Sequence, residues 1–146
     1  MLRKEFIKTC GMACMGGALL TTVLQGCAGS KIITAVLDGS ELIVPVMEFD
    51  LVKKDKVEIR KYLVVLNDRL QYPICLYRFD DLHYTALWMR CTHQGTELQV
   101  FGNELHCPAH GSQFNNRGGV ENGPAADPLR TFPVVVDGVK LKISLK

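Results

Sequence analysis

The chain has 146 residues and a net charge of +2, enough for one domain with a modest core. So small a charge, without a basic arm, a phosphate-cradling glycine loop or an internal repeat, gives no reason to expect nucleic acid as a partner. Six cysteines are present, but three of them (Cys10, Cys14 and Cys27) fall in or at the end of the N-terminal segment, and Cys75 sits alone in an apolar run where it reads as a small core residue.

Residues 1–26 read as an export signal. Arg3 and Lys4 give a basic start, and the uncharged, apolar or small stretch from Cys10 to Leu24 is too short for a comfortable bilayer span. The start looks like a twin-arginine signal with Lys4 in place of the second arginine. Leu24-Gln25-Gly26-Cys27 looks like a bacterial lipobox, which implies that Cys27 is the lipid-modified first residue of a mature domain, 27–146. The expectation is an exported, membrane-anchored lipoprotein facing the periplasm or the extracytoplasmic side.

From Ile32 onward the patterning predicts an all-β fold. Ile32–Leu37 and Glu41–Phe49 read as strands joined by Asp38-Gly39-Ser40, with Pro45 suggesting an edge or a bulge. Lys53 to Lys56 reads as a charged, solvated loop. Val57–Leu66, Tyr72–Phe79 and Leu82–Arg90 are further strands, the last pair turned by Asp80-Asp81. Thr96–Phe101 and Glu104–Cys107 flank a tight turn at Gly102-Asn103. The stretch around Gly118-Gly119 and 123–128 reads as irregular. Thr131–Val136 and Val139–Leu145 close through Asp137-Gly138, a hairpin signal.

Within this pattern lies CTHQGTELQVFGNELHCPAHGSQF, Cys91 to Phe114. It contains C-x-H (Cys91, His93) and C-x2-H (Cys107, His110), with thirteen residues between His93 and Cys107. Zinc sites favour halves of like ligands, a cysteine pair and a histidine pair. Here each half brings one thiolate and one imidazole, which suits a dinuclear centre with one iron on sulfur and the other on nitrogen.

CTHQG and CPAHGSQF resemble the two cluster loops of the Rieske [2Fe–2S] family, and Gly123-Pro-Ala-Ala-Asp-Pro128 resembles its third, proline-bearing loop. The resemblance implies a fold of three small antiparallel sheets, with a cluster-binding subdomain at about 91–128. It implies one [2Fe–2S] cluster, with Cys91 and Cys107 on the buried iron and His93 and His110 on the outer one. Ser112 matches the family serine that donates a hydrogen bond to a cluster sulfur. Phe114 stands where high-potential members have a tyrosine. Thr96 and Ala109 stand where those members have two cysteines that link the loops. These departures imply a low or intermediate potential for the family and loops less tied together.

The ligand set has an electrostatic consequence. Two thiolates cancel the charge of the oxidised core, whereas four leave it negative, so the mixed set accepts an electron more readily. The potential moves from roughly −400 mV for plant-type ferredoxins to about −150 to +300 mV. Pro108 restricts the second loop, and Gly95 and Gly111 are expected to let backbone amides approach the cluster sulfides. His83 and His106 lie outside the motif.

The expected function is one-electron transfer on the outer side of a bacterial membrane, as a subunit resembling the Rieske protein of quinol-oxidising cytochrome bc-type complexes. Its partners are then a quinol-oxidising subunit and a cytochrome, with the membrane reached through lipid on Cys27. The alternatives are the small electron-transfer subunit of an exported oxidoreductase resembling arsenite oxidase, and a zinc-stabilised binding module. No paired carboxylates or nucleophile–base set indicates catalysis by the chain alone.

Overall fold

The computed structural model describes residues 29–146, so the export signal and the Cys27 lipobox read from the sequence lie outside the described residues. Within them the fold is all-β apart from one 3-10 turn. The first predicted strand breaks at Ala35 into β1 (Ile32–Thr34) and β2 (Val36–Asp38), and β2 turns through Gly39 into β3 (Glu41–Pro45). Pro45 ends that strand because it has no N–H for a ladder, and the 3-10 turn Val46–Phe49 replaces the predicted continuation. The loop predicted at Lys53–Lys56 is the tip of a separate hairpin, β4 (Asp50–Lys53) with β5 (Lys56–Ile59). Arg60 and Lys61 then lead into β6 (Tyr62–Leu66), so the predicted strand at 57–66 is two strands.

The next strands are β7 (Ile74–Arg78), β8 (Tyr84–Trp88), β9 (Gln99–Phe101) and β10 (Glu104–His106). A hairpin of β11 (Gln113–Asn115) and β12 (Val120–Asn122) occupies part of the stretch read as irregular. Each of these two strands has only three residues, too few for an alternation to show. The strand predicted at Thr131–Val136 divides at Pro133 into β13 (Thr131–Phe132) and β14 (Val134–Asp137), which join different sheets, and β15 (Lys140–Ser144) completes the chain.

Three sheets stack as layers, with the β4–β5 hairpin standing apart as a two-stranded addition to the expected three. The central sheet has the order β1-β6-β7-β8-β13, flanked by β14-β15-β3-β2 on one side and β12-β11-β10-β9 on the other. All pairings are antiparallel except β1 with β6. The central sheet is covered on both faces, which explains why Ile74-Cys75-Leu76-Tyr77 is a continuous apolar run. Its side chains alternate between two cores. Leu63, Val65, Ile74, Leu76 and Ala86 join Leu42, Val44, Leu141 and Ile143 in the base core. Val64, Cys75, Tyr77 and Leu87 join Leu98, Leu105 and Phe114 in the second.

This stacking also fixes the long axis. β8 runs from the 79–83 turn toward Met89 and Cys91, so the turn and the cysteine lie at opposite ends of one strand. Tyr62 pairs with Tyr77, and the Arg78 N–H donates to Lys61 O at 2.9 Å, placing the start of β6 at the end away from Cys91. Gly118, at φ 88°, fits the β11–β12 turn against the central sheet. A Cβ there would meet Leu87 Cδ2 at 3.0 Å.

Candidate metal centre

The two ligand loops are built on one backbone template. In the first, the Gly95 N–H donates to Cys91 O at 2.8 Å, and the Cys91 N–H to Thr96 O at 2.8 Å. In the second, the Gly111 N–H donates to Cys107 O at 3.0 Å, and the Cys107 N–H to Ser112 O at 2.8 Å. Both reversals need a left-handed residue four positions after the cysteine, supplied by Gly95 (φ 76°) and Gly111 (φ 79°). A Cβ on Gly95 would also press to 3.1 Å from the Arg90 guanidinium. The N–H groups of these two glycines are therefore committed to the turns. The shared spacing Cys-x3-Gly-(Thr/Ser) was visible in the sequence, although the unlike histidine spacings obscured it.

This template sorts the four predicted ligands. Cys91 and Cys107 are both buried within the second core, at 1% and 3% exposure, and both are free thiols. His93 and His110 are exposed, with ring centroids 5.2 Å apart and planes at 87°. Two sulfur donors thus face inward and two nitrogen donors lie at the surface. Burial would raise the Cys107 thiol, but hydrogen bonds from the His110 and Ala109 amides outweigh it and hold the pKa below its ordinary value. The Cys91 thiol and the Thr96 hydroxyl act in the same direction. Cys75, by contrast, is pushed far up by burial and behaves as core.

The third loop joins the other two. The Thr92 hydroxyl donates to Asp127 O at 2.7 Å, and the Asn122 side-chain amide donates to Gly111 O at 3.3 Å. The Ala125 N–H donates to Ser112 Oγ at 3.0 Å. Each ligand loop is therefore bonded to the 122–127 segment without a disulfide at Thr96 and Ala109. None of these contacts was anticipated, because hydrogen bonds from isolated Thr and Asn side chains leave no sequence pattern.

Ser112 is fully buried and accepts from Ala125, so its own O–H remains available for an acceptor beside the cysteines. A buried hydroxyl proton calls for such a partner. Among the described residues, no group of three or more His, Cys, Asp or Glu side chains could hold a metal ion. A dinuclear cluster asks for only two protein ligands on each metal. The buried free thiols, the surface imidazoles and the uncommitted hydroxyl fit a [2Fe–2S] cluster in donor type and placement.

The remaining candidates take no part. His106 pairs with Glu104 at 2.8 Å and lies beside Phe101, while His83 is exposed and bonded to Asp80 at 2.7 Å. Trp88 packs partly buried against the base core, with the Arg90 guanidinium 5.6 Å from its ring. Phe114 is fully buried in the second core.

Comparison with known proteins agrees with this geometry. The chain is 41% identical over 56 residues to cytochrome b6-f complex iron-sulfur subunit 1 of Synechocystis sp., a match covering 37% of this chain and 32% of that protein. It is 38% identical over 56 residues to the corresponding subunit of Gloeobacter violaceus, covering 37% and 30%. These matches span about a third of the length of the curated relatives. Among solved structures, the plasma membrane Rieske protein of Synechocystis PCC 6803 aligns at a TM-score of 0.51 and 25% identity, covering 57% of this chain and 86% of that one. Residues 44–133 match the family model described as Rieske [2Fe-2S] domain. With one [2Fe–2S] cluster as its cofactor, the chain belongs to the Rieske [2Fe–2S] domain family.

Proposed function

We propose that this chain is the one-electron carrier of a quinol-oxidising, cytochrome bc-type complex on the outer side of a bacterial membrane. The observation that carries the proposal is the division of donors, with His93 and His110 exposed side by side above the buried Cys91 and Cys107. Cys91 and Cys107 hold the inner iron, His93 and His110 hold the outer one, and the Ser112 hydroxyl donates to a cluster sulfur. When bound, the cluster supplies reversible one-electron transfer. The chain's part is to keep the thiolates away from water in the second core and to present the imidazoles to the donor and acceptor. An imidazole N–H open to solvent can also exchange a proton as the centre's charge changes. The relatives named as cytochrome b6-f subunits support the quinol-oxidising setting.

The membrane attachment in this proposal is lipid on Cys27 after export of residues 1–26, with the cluster-binding part at about 91–128. A second reading, as the small electron-transfer subunit of an arsenite-oxidase-like enzyme, is favoured by Phe114, which has no hydroxyl to offer the centre. A redox titration of the purified, cluster-loaded chain separates them. A midpoint above roughly 0 mV supports quinol oxidation, whereas one well below it, toward the lower end near −150 mV, favours a dedicated low-potential partner.

A further inference from the structure

The first ligand loop is backed by a cation outside the ligand set. At the end of β8, Trp88 packs on the base core, whereas Met89 and Cys91 face the second core. Arg90 therefore leaves the chain on the Trp88 side, opposite the Cys91 thiol. An antiparallel bridge between Arg90 and Glu97, with the Cys91 N–H bonded to Thr96 O at 2.8 Å, closes the loop just beyond. The Arg90 guanidinium then folds over Gly95. Its Nη2, Nε and Cζ lie 3.1, 3.3 and 3.4 Å from where a Cβ of residue 95 would stand.

Gly95 thus does more than turn the chain, because the missing side chain lets a cation rest against the loop backbone. Gly111 has nearly the same φ, 79° against 76°, but nothing lies within 4 Å of its Cβ position. The two loops share a backbone template and differ here. A guanidinium is packed on the glycine of the first and not on that of the second.

This guanidinium is held without being neutralised. The Trp88 ring lies 5.6 Å from it, and Tyr72 sets that ring edge-on at 5.5 Å. Packing on an aromatic ring holds a cation and leaves its charge intact. Among the described residues Arg90 has no ion pair, whereas Arg78 pairs with Asp81. The acidic groups on the neighbouring loops are Glu97, across the bridge, and Asp127 in the third loop. Both are exposed, and neither carboxylate comes within ion-pair distance of Arg90. An arginine also keeps its charge at any working pH.

The charge of the centre gives that cation a role. Two thiolates cancel the oxidised core, so one added electron leaves a net negative charge that a nearby positive charge stabilises. We propose that Arg90 sets the potential of the centre: seated on Gly95 beside Trp88, it places an unpaired positive charge behind the first ligand loop and favours the reduced state. The proposal deepens the electron-transfer reading and rests on its assignment of Cys91 and His93 to the cluster.

The test is an EPR-monitored redox titration of the full, cluster-loaded chain and three variants, at low and high salt. Arg90→Gln should lower the reduction equilibrium about threefold, a fall in midpoint of roughly 28 mV for one electron. Salt should narrow that gap, because Arg90 is exposed. Arg90→Lys keeps the charge without the planar fork and should fall less. Arg130→Gln makes the same charge change at a side chain stacked 4.6 Å from the Phe132 ring, and it should also shift the midpoint less. Amide exchange at Cys91 and Gly95 should be unchanged in Arg90→Gln, since backbone bonds hold that turn. An unchanged midpoint in Arg90→Gln overturns the proposal, as does an equal fall in Arg90→Lys or Arg130→Gln. Faster exchange in the turn would assign the shift to a loosened loop and overturn it too. So would an Arg90→Gln chain that loads no cluster, because a charge that only sets the potential is dispensable for assembly. Failure of the ligand assignment reads differently, as a cluster signal without imidazole nitrogen couplings in the unaltered chain.

Discussion

The two cores meet the same central sheet and differ in what closes them. The base core is closed by apolar side chains from two regular sheets, Leu42 and Val44 against Leu63 and Leu76 among them. The second core begins in the same way at Val64 and Leu87 but ends at Cys91, Cys107, Ala125 and Leu129, which sit in or beside irregular loops. The fully buried Ser112 adjoins this end. One core is complete as a packing problem. The other has polar and sulfur groups at its outer boundary, and their arrangement makes sense only around a bound centre. Stability and function are thus separated by a single sheet, and substitutions on its two sides should have unlike signatures.

The largest effect should come from removing a sulfur donor. Cys107→Ser should abolish the visible absorption and the EPR signal of the reduced centre while far-UV circular dichroism still reports the base sheets. Full cluster content in that variant would mean that the second core does not hold the cluster through Cys107. The converse change is Leu42→Ala in the base core. Deleting this fully buried side chain should cost about 2–5 kcal/mol in denaturant unfolding and leave the EPR line shape of the folded protein unchanged. An altered line shape would show that the two cores are not separable.

A finer test lies at Ser112. Ser112→Ala removes the hydroxyl that Ala125 donates to and the proton available to the centre. Loss of one hydrogen bond of about 1–1.5 kcal/mol should lower the midpoint by roughly 40–60 mV for one electron. An unchanged midpoint would show that this proton is not directed at the cluster. The smallest effect should be at the surface of the base. Asp137 is held below its ordinary pKa by Lys142, and Lys142 is raised by Asp137. The carboxylate therefore stabilises the fold above its unfolded value of 3.8 and stops doing so as pH falls through its depressed folded pKa. Lys142 contributes below 10.5 and loses its contribution as pH rises through its raised folded pKa. Asp137→Asn should lower Tm slightly near neutral pH, the difference should vanish in acid, and the midpoint should not move. A midpoint shift would contradict the separation of base and site.

Much of the site was legible because metal chemistry constrains residue types as well as spacing. Cys91, His93, Cys107 and His110 stand in a short stretch, and the structure brings them into two adjacent loops. The strand content was legible where alternation or a full apolar run was long enough, as at Tyr72–Phe79. It failed where prolines divide a run, at Pro45 and Pro133, and where strands of three residues carry little signal, as at β11 and β12. The bonds from Thr92, Asn122 and Ala125 were not legible at all. They depend on the third loop folding back over the first two, a long-range event that no local pattern encodes. For the same reason the lack of cysteines at Thr96 and Ala109 gave no sign of these bonds, which tie each ligand loop to the 122–127 segment.

The central claim is that sulfur and nitrogen donors divide between the buried and the exposed side of one cluster. Pulsed EPR of the dithionite-reduced full chain tests it most directly, through hyperfine coupling to nitrogen nuclei. The account predicts a [2Fe–2S] signal with two strongly coupled imidazole nitrogens, one of them lost in a His93→Cys variant that still assembles a cluster. A reduced cluster with no such nitrogen couplings, or an EPR-silent chain that binds one zinc, would contradict it.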